Sequence, residues 1–208
     1  MKLFLTLLTI PHLIACFFLS KNKSIIKDLV KCVDYIKKEK KSFSMIDDYY
    51  YHVLITAEDH RNPIHYGIDP IAIIRCIYLR LTKRITQGGS TVEQQLVRTL
   101  TGRYEKTLRR KIREQVIAIL LSKAVQNKKH IGKAYLHCAY FGHTKVGFSK
   151  LSVSDKKDPS ELIARLKYPT RKNEDPCSSK KIKRRKEYID DMLKKQVIFL
   201  EKRHTDVI

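Results

Sequence analysis

The stretch Gln87-Gly88-Gly89-Ser90-Thr91-Val92-Glu93-Gln94-Gln95 constrains this chain more than any other. Two glycines let the backbone pass close to a ligand or a neighbouring helix where a Cβ would intrude. Ser90 or Thr91 can then cap a helix that runs on through Gln94, Gln95, Leu96 and Val97. The free N–H groups of its first turn would face a cleft. Taken alone, such a stretch is a loop that caps a helix. Its company gives it more meaning: an acidic–His–Gly cluster lies before it and a basic-then-acidic helix after it.

Helical periodicity dominates elsewhere. From Ser24 onward, Ile25, Ile26, Leu29, Val30, Val33 and Ile36 form one stripe with lysines opposite, a structural helix or one lying along a membrane surface. Residues 68–86 mix large apolar side chains with Arg and Lys, as a lipid-dipping face or an ordinary core helix would. Leu108, Ile112, Val116, Ile119 and Leu120 predict the buried stripe of a helix over about 108–123. Ile189, Met192, Leu193, Val197 and Leu200 predict a last helix behind a polar linker bounded by Pro169 and Pro176. With 208 residues, the expectation is one mainly α domain, residues 24–208, with an appendage at 1–23.

Charge narrows the partners. Lys and Arg number 43 against 21 Asp and Glu, a net +22, which attracts nucleic acid, anionic lipid headgroups or phosphorylated substrates. Trp is absent, so no base-stacking platform is advertised. The basic run Lys180–Lys186 reads as a solvated face near an anionic membrane, with a nucleic-acid patch as the sharper alternative. Five cysteines show no CxxC pair, and the histidines follow no metal-ligand spacing, so mostly buried thiols and no metal site are expected.

Leu3 to Leu19 is apolar apart from Thr6, Thr9, Pro11 and His12, and stops at Ser20-Lys21-Asn22-Lys23. It fits a short membrane anchor or a signal segment. Leu13-Ile14-Ala15-Cys16 also resembles a lipoprotein cleavage box, with Cys16 as the acylated residue. Lys21, Lys23, Lys27 and Lys31 would by the positive-inside rule favour a cytoplasmic body.

Two further clusters carry chemistry. Glu58-Asp59 ends an apolar run, so one carboxylate can be desolvated and its pKa raised toward that of a general base. His65-Tyr66-Gly67 closes that cluster, which could equally be an acidic turn with a structural histidine. Arg110, Lys111 and Glu114 share one helical turn, giving either a surface ion pair or a carboxylate held ionised by two cations.

The sets Glu58-Asp59-x-x-Asn62-x-x-His65-x-Gly67, Gly88-Gly89-Ser90-Thr91-x-x-Gln94-Gln95 and Arg110-Lys111-x-x-Glu114 resemble the first three motifs of the peptidoglycan glycosyltransferases, glycosyltransferase family 51. Lys128-x-x-Ile131-Gly132-x-x-Tyr135-Leu136-His137 resembles the fourth, and Arg184-Arg185-x-x-Tyr188-Ile189-x-x-Met192 the fifth. Order and number make the likeness specific. The chain differs at Asn62 (usually Phe), Glu93 (Thr), Gly132 (Leu) and His137 (Asn), and both glutamates are spared.

The resemblance implies a lysozyme-like helical fold, anchored with its cleft at the outer face of the bacterial cytoplasmic membrane, despite the lysines after the apolar run. It implies polymerisation of lipid II into glycan strands, with Glu58 as base toward the acceptor 4-hydroxyl. Arg75, Arg98, Lys106 and Lys111 would meet the donor pyrophosphate, with Arg110 beside them. Glu114 would orient these cations or stabilise the oxocarbenium-like centre. Asp59, His65, Gly89, Ser90, Thr91, Gln94 and Gln95 would shape the substrate cleft. No cofactor is required, although some members bind a divalent cation (magnesium or manganese) with the pyrophosphate. Partners would be lipid II, the growing strand, the anionic membrane surface and other cell-wall synthesis proteins, with no nucleic acid. The alternative is a catalytically impaired homologue that binds lipid II or glycan as a scaffold or regulator.

Overall fold

The computed structural model describes the backbone of residues 2–85, 87–173 and 176–205, and the side chains of 6–85, 87–173 and 176–196. The expected mainly α architecture is what it shows. Eleven helices appear among the described residues: α1 (Lys2–Leu19), α2 (Lys23–Lys38), α3 (Lys40–Ser44), α4 (Asp48–Glu58), α5 (Pro70–Lys83), α6 (Val92–Thr101), α7 (Leu108–Val125), α8 (Lys128–Cys138), α9 (Val153–Lys156), α10 (Pro159–Lys167) and α11 (Pro176–Thr205). A short antiparallel hairpin, β1 (Tyr140–Gly142) and β2 (Lys145–Val146), interrupts them.

Local chemistry sets most boundaries. Asn22, Asp47, Asp69, Thr91, Thr107, Asn127 and Asp158 each accept a backbone N–H at the start of a helix. Pro70 and Pro159 sit in first turns, where no backbone donor is needed. Gly102 closes α6 in the left-handed conformation.

The centre of the fold is α7, which packs against α1, α2, α6 and α8. Val116, Ile117, Ala118, Ile119 and Leu121 are buried on all sides of it. The stripe expected from sequence is therefore too narrow at one end and wrong at the other, because Leu108 is 76 % exposed and Ile112 is also exposed. The first turn of α7 leaves the core and forms the wall of a groove. On α2, Ile25, Cys32 and Ile36 are buried against the body, while Ile26 and Val30 face out. Asp28 lies on its inner face and binds Arg103 (3.1 Å) and Arg113 (2.7 Å), which ties α2 to α7.

No helix among the described residues is long and apolar enough to cross a membrane. The anchor expected at 1–23 falls partly on residues 1–5, whose side chains lie outside the described ones. The described part of α1 lies along α7 and α5. Cys16 is buried there and its thiol donates to the Val116 carbonyl, so the thiol of the proposed lipoprotein box is part of the core. Outward, α1 shows Leu7, Ile10, Ile14, Phe17 and Phe18, and α5 shows Ile74, Ile77, Tyr78 and Leu81. With these side chains exposed, α5 is not an ordinary core helix. All five cysteines are free, with Cys16 and Cys32 buried and Cys177 exposed. Val197 and Leu200 of the expected last stripe have side chains outside the described residues.

The hairpin was not legible in sequence. Gly142 permits it: at φ +147° a Cβ would lie 2.5 Å from Thr170, which donates its backbone N–H to Phe141 O at 3.0 Å.

Candidate active site

The Gly-rich stretch floors a cleft between α4, α5, α6, α7 and α11. At Gly89 a Cβ would fall 2.8 Å from Cys76 Sγ and 3.2 Å from the Ala72 carbonyl, so the loop rests on α5. Ser90 faces the opening. Thr91 is the side-chain cap of α6 and donates its hydroxyl to Gly67 O at 2.7 Å.

Glu58 stands at the last residue of α4 on one wall, with 18 % of its side chain exposed. Gln95 Nε2 donates to Glu58 Oε2 at 3.3 Å and Arg185 Nη2 donates to Oε1 at 2.9 Å. Arg185 also donates to Ala57 O and lies over the Tyr188 ring. A pocket of about 360 Å³ opens here, with Glu58, Arg75, Gln95, Arg98, Lys167 and Arg185 among its lining residues.

Glu114 stands on the other wall and is nearly fully buried. Arg98 grips it with two nitrogens at 2.9 and 3.0 Å, Lys111 lies at 2.9 Å, and Arg110 completes the set. Burial alone would push its carboxyl up, but the Arg98 hydrogen bonds and the Lys111 charge outweigh that and hold it below the usual carboxylate range. For Lys111, burial lowers the ammonium's proton affinity more than Glu114 restores it. Arg98 and Lys111 also donate to Ser90 Oγ, at 3.2 and 2.8 Å, which fastens the glycine loop to this wall. Beyond them runs a groove of about 770 Å³, in which Ser90, Arg98, Lys106, Arg110 and Lys111 give way to Ile77, Leu108 and Ile112. Arg98, Gly88 and Ser90 line both cavities, so the two walls share one cleft.

The other expected site residues divide. Arg75 and Lys106 line the cleft. Asp59, His65, Thr91 and Gln94 are buried beneath it and bond within the protein, Asp59 to Asn62 and His65, Thr91 to Gly67 O and Gln94 to Lys111. Of the two adjacent carboxylates Asp59 is the more deeply buried, 2 % exposed against 18 % for Glu58. Burial pushes Asp59 up, but His65 Nε2 at 2.9 Å, Asn62 and the Val92 N–H hold it below the ordinary range. Asp59, His65 and Glu93 bring one ligand atom each within 4.8 Å of one another. Lys128 Nζ sits 2.7 Å from Glu93 Oε1 at the edge of this cluster. The described residues lining the cationic groove include no Asp or Glu, and the nearest carboxylate given by their ion pairs is Glu114, directly behind Arg98, Arg110 and Lys111.

Two residues joined to this site were not marked as site residues from sequence. Arg185 lies 127 positions from Glu58, and only the fifth motif gives a signal for it. Lys128 sits in the fourth motif, where its charge reads as ordinary in so basic a chain.

Residues 24–192, most of the chain, match the family model described as Transglycosylase. Penicillin-binding protein 1A of Aquifex aeolicus is 37 % identical over 107 residues, covering 51 % of this chain and 15 % of that protein. The Rickettsia prowazekii protein of the same name is 32 % identical over 148 residues, covering 65 % and 19 %. The Escherichia coli one is 37 % identical over 94 residues, covering 45 % and 11 %. The chain therefore spans less than a fifth of each of these relatives. With its motif residues gathered in and beneath one cleft and the match running from α2 into α11, the chain belongs to the transglycosylase family, the peptidoglycan glycosyltransferases.

Proposed function

We propose that the chain polymerises lipid II into glycan strands, with inversion at the transferred MurNAc. The observation that carries this reading is the two-walled cleft, in which an accessible carboxylate faces a buried carboxylate bound to three cations. The acceptor's GlcNAc 4-hydroxyl lies against Glu58, which takes its proton as the oxygen attacks the donor's anomeric carbon. The bond to the lipid pyrophosphate breaks on the opposite face, as in an inverting glycosidase with a sugar hydroxyl in place of water. Negative charge grows on the departing pyrophosphate, and Arg98, Arg110, Lys111 and Lys106 meet it in a fixed array. Glu114 keeps that array in place and offsets its self-repulsion. A magnesium or manganese ion would arrive on the substrate phosphates and be held by them.

The apolar end of the groove suits the polyprenyl chain. The outward apolar side chains of α1 and α5, with Arg80, Lys83 and Arg84 near the end of α5, suit an anionic membrane surface. Operation at the outer face of the bacterial cytoplasmic membrane, alongside other cell-wall synthesis proteins, follows from that substrate. The scaffold alternative keeps one observation in its favour: Arg185 and Gln95 each donate to one oxygen of Glu58, which leaves fewer of its lone pairs for an acceptor hydroxyl.

The test is conversion of purified lipid II into strands resolved on a gel, with Glu58→Gln beside the wild type. Strands that vanish in the variant support the enzyme. Saturable lipid II binding without strands from either protein supports the scaffold.

A further inference from the structure

Three of the four positions at which this chain differs from the family pattern meet in one buried cluster directly behind Glu58. Glu93, in the first turn of α6, is 0 % exposed. Its Oε1 accepts from Lys128 Nζ at 2.7 Å and from Asn62 Nδ2 at 3.4 Å, while its Oε2 is buried without a hydrogen-bond partner. Asn62 also donates to Asp59 Oδ2 at 3.0 Å and accepts from the Tyr51 hydroxyl at 3.0 Å. Gly132 makes room for that tyrosine, because a Cβ there would fall 2.4 Å from the Tyr51 ring. Each change depends on the others. A leucine at 132 is incompatible with Tyr51 where it stands, Tyr51 fixes Asn62, and Asn62 and Lys128 supply the partners that a buried Glu93 requires.

The cluster's neighbours give it a task. Asp59, the residue after Glu58, accepts from Asn62 and from the Val92 N–H at 3.1 Å, which joins the end of α4 to the start of α6. Gln95, two residues after Glu93, is the residue that donates to Glu58. The cluster therefore holds the two helix ends that carry the base and its orienting amide, and it lies away from the cationic groove.

We propose that Glu93 and Lys128, with Asn62, Tyr51 and Gly132, are a coupled set of positioning residues for Glu58. This inference rests on the glycosyltransferase reading above. An error of about an ångström in the placement of a reacting group lowers turnover by up to about 100-fold. Substrate affinity in the groove depends on other residues.

The test is steady-state polymerisation of lipid II by the full chain, with folding followed by circular dichroism and thermal melting. Lys128→Met is expected to lower kcat between about 10- and 100-fold and leave KM within about twofold. Glu93→Gln, which keeps shape, and Gly132→Ala, which displaces the Tyr51 ring without touching a charge, lower kcat in the same direction. They decide the matter if Lys128→Met does not fold. The double variant Glu93→Thr/Lys128→Met removes both charges of the pair and recovers most of the lost kcat, the signature of coupling. Folded variants with wild-type kcat, a rise in KM alone, or strictly additive losses in the double variant would overturn the proposal. A wild-type protein that makes no strands removes the glycosyltransferase reading and this inference together. Active wild type beside unaffected variants removes the inference alone.

Discussion

Replacing Glu114 by Gln tests the electrostatic centre of the cleft. The substitution preserves volume and removes one charge from a carboxylate whose side chain is 3 % exposed. At an ion separation of about 4 Å and an effective dielectric of about 20, each cation contributes about 4 kcal/mol of gross attraction. Desolvation of the carboxylate offsets several kcal/mol of that total. Water reaching Arg98, Arg110 and Lys111, whose side chains are 29 %, 17 % and 28 % exposed, screens it further. Losing one member of such a set leaves about 3 kcal/mol of destabilisation, which in a domain of this size lowers the melting midpoint by about 6–12 °C. Because the folded carboxyl is held below its unfolded pKa, its contribution is fully present above about pH 4.3 and fades as pH falls through the folded value. The gap between wild type and Glu114→Gln should therefore be widest near pH 7 and should close toward pH 3. Paired thermal or urea melts across that range measure it. Equal stability at pH 7, or a gap of unchanged size at pH 3, would refute the reasoning.

Three further outcomes follow from other parts of the structure. Gly67 sits at φ +81°, with its would-be Cβ 2.3 Å from the Ala118 carbonyl, so Gly67→Ala should cost about 3 kcal/mol in urea denaturation. Asp28→Asn strands Arg103 and Arg113 and should cost about 2 kcal/mol, less than a fully buried set because Arg103 is well exposed; a urea melt reads it. Paired Ile77→Asp and Leu81→Asp should weaken sedimentation with anionic lipid vesicles at least tenfold while leaving the melting midpoint within about 2 °C, since both side chains already face out.

How far sequence reaches is clear from particular residues. The start of α6 was legible because its cap is local: the Thr91 side chain needs only a backbone N–H three residues on. The Arg110–Lys111–Glu114 turn was legible because helical spacing alone brings those side chains together. Arg98's part in that cluster depends on how α6 crosses α7, which periodicity does not encode. The same limit hid the Arg185–Glu58 pair, and it made Leu108 read as core when it is groove wall. Asp59 and Glu58 are adjacent and chemically alike; only the direction in which α4 ends decides which one is buried. Asn62, Glu93 and Gly132 read singly as lapses from a pattern, and their mutual contacts appear only in three dimensions.

The most direct test of the central claim separates binding from turnover in a single variant. Fluorescent lipid II would be titrated onto Glu58→Gln in detergent, and its conversion to strands measured in the same preparation. The two-walled cleft predicts a dissociation constant within about threefold of wild type and turnover lowered at least about 100-fold, because the cations that hold the pyrophosphate are untouched while the base is gone. Wild-type turnover in Glu58→Gln, or loss of binding equal to the loss of turnover, would contradict it.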